Sequence, residues 1–276
     1  AYLVPEPTIA QRIVRAKKTL AQEHVPFEVP APDERPARLS AVLEVIYLVF
    51  NEGYSATAGD DWTRPDLCAE AVRLARVLAQ LMPAEPEVHG LAALLEIQSS
   101  RLAARTAPDG SPVLLLDQDR RRWDRLLINR GLAALRVAED LGAEHGPPEH
   151  GPYVLQALIA ACHAVAFRPE DTDWQRIAAL YAILARVMPS PVVELNRAVA
   201  VSMADGPQAG LDLVDQLAAE PALRSYHLLP SVRGDLLLKL GRTTEAQAEF
   251  ERAAALARNE RERQLAAGRA RAAGPD

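Results

Sequence analysis

The sequence predicts an all-α protein assembled from helical hairpins, and three observations carry that prediction. Alanine and leucine are abundant while aromatic residues make up only 5% of the 276 positions, a balance that favours helix over sheet. Apolar residues recur at spacings of three and four along most of the chain, as a helix with one buried face requires. In the last third, small and apolar residues repeat at close to the period of a two-helix unit, about 34 residues.

The first segment reads as an amphipathic helix entered from a turn. Val4-Pro5-Glu6-Pro7 breaks any preceding helix and Thr8 begins the new one. Ile9, Ile13, Ala16 and Leu20 form a stripe expected to be buried, and Thr8, Gln11, Arg12, Arg15 and Lys18 take the other faces. Pro26, Pro30, Pro32 and Pro36, interleaved with Val25, Phe27 and Val29, then describe an extended, docked linker.

From Ala37 helix follows helix. Leu39, Val42, Leu43, Ile46 and Phe50 make an apolar face, ended by Asn51-Glu52-Gly53. Thr63 with Asp66 reads as a capping box, opening a helix that buries Leu67, Ala71, Leu74, Leu78 and Leu81 and stops at Met82-Pro83. The next helix buries Val88, Leu91, Ala92 and Leu95. Asp109-Gly110 marks a turn, and residues 113–116 are the one candidate for a short extended piece. Helices resume through Trp123, Leu127 and Ala134 until a Gly/Pro/His-rich loop over residues 142–151.

The repetition sets the architecture of the remainder. Asp171-Thr172 reads as the cap of a helix whose stripe is Trp174, Ile177, Ala178, Tyr181 and Ala185. Gly234, Leu237, Leu240-Gly241, Ala246, Phe250 and Ala253 stand at the spacings of one tetratricopeptide repeat, in which small residues let two helices approach closely. Pro189 and Pro221 are expected to end helices 32 residues apart, and Gly206 and Gly241 stand 35 apart. After Asn259 the Arg-rich tail suits a solvated capping helix that frays.

Charge and motif chemistry narrow the function. The net charge is −6, yet residues 1–20 hold Arg12, Arg15, Lys17 and Lys18 against Glu6 alone, so the acidic charge lies in the rest of the chain. Any nucleic-acid contact is thereby confined to the N-terminal segment. No apolar run reaches the roughly 20 residues that span a bilayer, and no secretory signal is visible, so the expected location is cytoplasmic with no membrane partner. Cys68 and Cys162, far apart within apolar helical patterns, read as buried free thiols. The six histidines offer no His-x-x-x-His pair, and His145 and His150 share a loop with Glu144 and Glu149 that reads as solvated charge. There is no phosphate loop and no Gly-x-Ser-x-Gly elbow. Asn51-Glu52 with Asp60-Asp61 could pair as an acid and base, but helix capping and loop solvation explain them as well. The expectation is no metal, no cofactor and no enzymatic activity.

The string Leu3-Val4-Pro5-Glu6-Pro7-Thr8-Ile9-Ala10-Gln11-Arg12-Ile13-Val14-Arg15-Ala16-Lys17-Lys18-Thr19-Leu20 resembles the turn and second helix of the helix-turn-helix in bacterial ECF-type (extracytoplasmic function) sigma factors. Further segments resemble the C-terminal extension of one group of that family: Val45-Ile46-Tyr47-Leu48-Val49-Phe50-Asn51-Glu52-Gly53-Tyr54, Arg64-Pro65-Asp66-Leu67-Cys68-Ala69-Glu70-Ala71, Gln118-Asp119-Arg120-Arg121-Arg122-Trp123-Asp124-Arg125, Asp171-Thr172-Asp173-Trp174 and Pro191-Val192-Val193-Glu194-Leu195-Asn196-Arg197-Ala198-Val199-Ala200-Val201. The resemblance implies part of a subunit that directs RNA polymerase core to promoter DNA. It also implies a domain plan: recognition helix over 1–21, proline-rich linker over 22–36, family-specific helices over 37–150 and tetratricopeptide-like repeats over 151–276. Thr8, Gln11, Arg12, Arg15 and Lys18 would then face DNA, basic residues clamping phosphates. Region 2 of such factors and the first helix of the motif have no counterpart in this chain.

A repeat groove would hold a peptide or protein segment. Its expected lining is Leu228, Ser231, Asp235, Leu238 and Lys239 on one helix and Asn196 with Arg197 on its neighbour. For Asn196 and Arg197, stitching between repeats is an equal alternative.

Overall fold

In the computed structural model, the residues described are 11, 14–15, 17–20, 22, 31, 34–59, 61–143 and 150–274. Among them the protein is helical with no β-strand, only two isolated bridges. Its helices are α1 (Arg35–Tyr54), α2 (Pro65–Leu81), α3 (Pro86–Ser99), α4 (Arg125–Ala143), α5 (Pro152–Val165), α6 (Trp174–Val187), α7 (Pro191–Asp205), α8 (Pro207–Leu217), α9 (Leu228–Lys239), α10 (Thr243–Leu256) and α11 (Glu260–Ala273). The expected linker prolines Pro26, Pro30 and Pro32 lie outside the described residues, whereas Pro36 stands in the first turn of α1.

Proline, more than side-chain caps, starts these helices. α2, α3, α5, α7 and α8 all begin on one, using a residue whose missing N–H a helix start would leave unsatisfied anyway. The capping box expected at Thr63 and Asp66 is therefore not formed; Arg64 takes the cap position without a side-chain bond. For α6 the cap is Asp173, which accepts from the Arg176 backbone N–H at 2.9 Å, and Asp171-Thr172 precedes it in a 3-10 turn. α5 is capped from outside its own segment: the Glu87 carboxylate on α3 accepts from the Tyr153 and Val154 N–H groups at 2.8 and 3.1 Å.

Each helix packs mainly on its chain neighbours, and α3 also packs on α5. The result is a row of overlapping cores. One joins α1, α2 and α3, a second α3, α4 and α5, a third α5, α6 and α7, and a fourth α7 through α11. The boundary expected between residues 150 and 151 falls between α4 and α5, which share the second core.

Several local expectations shift. α1 does not stop at Asn51-Glu52-Gly53 but runs to Tyr54. Gly53 is there for close approach: a Cβ on it would sit 2.8 Å from the Cys68 backbone nitrogen of α2. The buried face of α2 is Cys68, Ala71, Val72 and Ala75, with Leu81 exposed. Val42 and Leu20 are also exposed, so the N-terminal stripe is not buried at Leu20. Residues 113–116 lead into a 3-10 turn (Leu115–Asp117) rather than a strand. Pro221 opens a 3-10 turn (Pro221–Leu223) after α8 has ended at Leu217.

The hairpins of the last core follow the repeat spacing. Gly206 between α7 and α8, and Gly241 between α9 and α10, both hold positive φ, +103° and +75°, a region L side chains rarely adopt. Ala246, Phe250 and Ala253 are fully buried.

The tail does not fray into solvent. α11 packs along α10 and buries Ala266, Ala270 and Ala273. Asn259, with no exposed surface, caps α11 by accepting from the Arg261 N–H at 3.0 Å. Its amide donates to the Asp61 and Ala56 carbonyls at 3.0 and 3.4 Å, and the Glu260 N–H donates to the Gly59 carbonyl at 3.3 Å. The end of the array is thus tied to the loop after α1. Small residues on one face of an Arg-rich helix supplied enough burial to hold it.

Candidate functional site

Where the first, second and third cores meet, the packing leaves a cavity of about 200 Å³. α1 contributes Tyr47, Phe50, Asn51 and Tyr54, which share one helix face because they stand at intervals of three and four. α3 and the turn after it contribute Leu94, Gln98 and Arg101; α5 contributes Gln156 and His163; α6 contributes Tyr181.

The lining mixes polar and apolar side chains and carries one sign of charge. No Asp or Glu stands among these residues, and Arg101 is the one guanidinium. Three arginines near this region are buried, with very different partners. Arg120 donates to the His163 and Ala166 carbonyls and the Thr172 hydroxyl at 2.9, 2.7 and 3.2 Å, placing its charge at the C-terminal end of α5. Arg105 donates to the Tyr54 carbonyl at 2.9 Å and lies over the Tyr54 and Trp62 rings, 3.6 and 4.3 Å from their centroids. Among the described residues the Arg101 side chain bonds only the Gln98 amide oxygen, and it stands 5.8 and 5.7 Å from the Tyr54 and Trp123 rings. Its Nε, the Tyr54 hydroxyl and the His163 Nδ1 are buried with no hydrogen-bond partner among the described residues.

Burial sets the protonation of the lining. It pushes the His163 imidazole down to about 3, with the Arg101 and Arg120 charges adding to the effect, so the ring is neutral near pH 7. It pushes the Tyr181 phenol up to about 12 and the Tyr47 phenol upward. The Tyr47 hydroxyl donates to the Gln156 amide oxygen at 2.8 Å. The cavity lining offers neutral hydrogen-bonding groups around one guanidinium, with the Arg105 and Arg120 charges behind it, the chemistry of an anion-binding pocket.

The residues expected on DNA are only partly described. Gln11, Arg15 and Lys18 are helical and exposed, while Thr8 and Arg12 lie outside the described residues. The groove residues do gather on adjoining helices. The Lys239 ammonium on α9 lies 3.8 Å from the Met203 sulfur on α7, two turns along the helix from exposed Asn196. Leu228 and Leu238 are exposed and Ser231 half-buried. Several of their charges are already engaged, however. Arg197 pairs with Glu194 of its own helix at 2.7 Å, and Asp235 is held by Lys239 at 3.3 Å and by Arg269 of α11.

The acid/base pairing considered for Glu52 is not assembled. Its carboxylate accepts from the Thr57 hydroxyl at 3.0 Å and lies 3.5 Å from Arg64; Asp60 is outside the described residues. Cys68 and Cys162 are buried and free. His145 also lies outside the described residues. Among those described, no three His, Cys, Asp or Glu side chains converge on a point, and no helix is long and apolar enough to cross a membrane.

Composition and periodicity had not singled out Arg101 or Tyr54. Their partners come from distant segments, so no local spacing betrays them. The available signal was Tyr47, Asn51 and Tyr54 at positions i, i+4 and i+7, a polar-aromatic stripe beside the apolar one.

A family described as of unknown function (DUF6596) matches residues 38–139, the stretch holding most of α1 through most of α4. The chain is 51% identical over 259 residues to an uncharacterized protein of Rhizobium meliloti (strain 1021). That alignment covers 94% of this chain and 59% of the relative, so the chain spans well under two thirds of the relative's length. No solved structure matches the chain.

Proposed function

We propose that the chain is the C-terminal part of an ECF-type sigma factor, with the helical array as a regulatory protein-interaction module. The observation that carries this reading is the ordered run of motifs, beginning with the basic string at residues 3–20 and continuing through the segments at 45–54, 118–125 and 191–201. Two features support it. Arg15, Lys17 and Lys18 are exposed basic residues, while the rest of the chain is acidic and repels a phosphate backbone. The array sets Lys239 of α9 against Met203 of α7, the helix that also exposes Asn196, a surface suited to an extended or helical protein segment.

The test is transcription by the longer protein of which this chain would form the C-terminal part, with and without residues 37–276. Removal of the array should change promoter-dependent transcription. Arg15→Ala should weaken promoter binding for all sequences and reduce the salt slope by about one unit, as loss of one phosphate contact does. Unchanged affinity and salt slope would leave the array as a protein-binding scaffold with no DNA role.

A further inference from the structure

We propose that the cavity between α1, α3, α5 and α6 is a binding site for a small monocarboxylate, with Arg101 as its charge partner and the Tyr54 hydroxyl as a hydrogen-bond donor. The inference goes beyond the transcriptional reading and does not depend on it.

Three observations point the same way. A buried guanidinium costs free energy unless an anion or several acceptors compensate it. Arg105 and Arg120 have carbonyl acceptors, but Arg101 has only one amide oxygen and no carboxylate within ion-pairing distance among the described residues. Three of the buried polar atoms without a partner among the described residues, Arg101 Nε, Tyr54 Oη and His163 Nδ1, belong to side chains that line one cavity; the Arg105 and Arg120 Nε atoms are unpartnered too, but neither residue lines it. Buried polar groups are hydrogen-bonded in nearly all structures, so three orphans around one void mark a place built for a polar guest.

Size and charge select the class. At about 200 Å³ the cavity is smaller than the roughly 300–1,000 Å³ pockets that hold drug-sized ligands. One fixed positive charge, no lining acid and a neutral His163 match a single negative charge. A phosphate dianion would bring a second charge with no second cation in the lining to pair with, since Arg105 and Arg120 stand behind it and are bonded to carbonyl groups. The Phe50, Leu94, Leu115 and Ile159 side chains supply an apolar wall for a short carbon skeleton.

The experiment titrates the purified chain with sodium acetate, pyruvate and benzoate, and separately with inorganic phosphate, at matched ionic strength. Thermal melting and intrinsic fluorescence are the readouts. At least one carboxylate should raise the melting temperature saturably, and phosphate should not. Arg101→Gln should weaken that carboxylate about tenfold or more. The Tyr54 hydroxyl makes no hydrogen bond of normal geometry, although the Arg105 guanidinium lies against its ring, so Tyr54→Phe should fold with stability close to the parent's yet bind about fivefold more weakly. Arg122→Gln, an exposed change outside the cavity, should bind normally. No saturable carboxylate effect, a phosphate effect alone, or equal binding by Tyr54→Phe would each overturn the proposal. In the first case the void holds water only.

Discussion

Replacing Asn259 should loosen both ends of the array at once. The side chain makes three bonds from a fully buried position: it accepts from the Arg261 N–H and donates to the Asp61 and Ala56 carbonyls. Loss of a helix cap costs about 1 kcal/mol. Stranding the part-buried Asp61 carbonyl and the weakly bonded, buried Ala56 carbonyl adds about 1–3 kcal/mol. Asn259→Ala should therefore lose about 2–4 kcal/mol, a fall of roughly 3–7 °C in the thermal midpoint for a chain of this size. Asn259→Asp separates the two contributions. Aspartate caps as well as asparagine, but it sets a carboxylate oxygen against two carbonyl oxygens in a site without solvent. It should be at least as destabilising as alanine. Hydrogen exchange should report the same event as faster exchange of backbone amides on both sides of the contact, at residues 56–59 and 260–263. An Asn259→Asp protein as stable as the parent would refute the tie to the first loop and reduce Asn259 to a local cap.

Three further outcomes are expected. Gly234→Ala places a Cβ 2.8 Å from the Phe250 ring, and overpacking this buried contact should cost about 1–3 kcal/mol by urea denaturation. Below pH 6.5 the unfolded chain binds a proton at His163 that the folded state, with its imidazole near 3, refuses. Stability should thus fall by about 1 kcal/mol between pH 6.5 and 5.5, and this part of the slope should be missing in His163→Gln. Substituting Asn196 and Lys239 together should leave the melt within about 0.5 kcal/mol of the parent, since both are exposed. A larger loss would make them stitching between repeats.

Where the sequence was legible, a strong local pattern was the reason. α3 was readable because Val88, Leu91, Ala92 and Leu95 keep one helical period, and all four are buried. The α9–α10 hairpin was readable because Gly234, Gly241, Ala246 and Phe250 each answer to a short-range geometric need. The end of α1 was not, since Asn51-Glu52-Gly53 has the composition of a stop and only contact with α2 reveals Gly53 as a packing residue. The caps were misplaced because Thr63 and Asp171 look suitable in isolation, whereas Pro65 and Asp173 set the actual starts. The tail was read as frayed because its charges are local and its anchor, Asn259, finds partners almost 200 residues earlier. The cavity was invisible for the same reason: Tyr54, Arg101, His163 and Tyr181 come together only through packing.

The overlapping cores carry a consequence for how the sequence is free to drift. α3 and α5 each serve two cores and are buried on nearly every side. A change of volume there must suit two sets of neighbours simultaneously. α2, α4 and α6 serve mainly one core each and keep a solvent-facing side. Tolerance to substitution should alternate along the chain, low in α3 and α5 and higher in the helices between them. A library of single variants through residues 65–187, sorted for folded protein, would display that alternation as a rhythm set by helix order instead of by hydrophobicity.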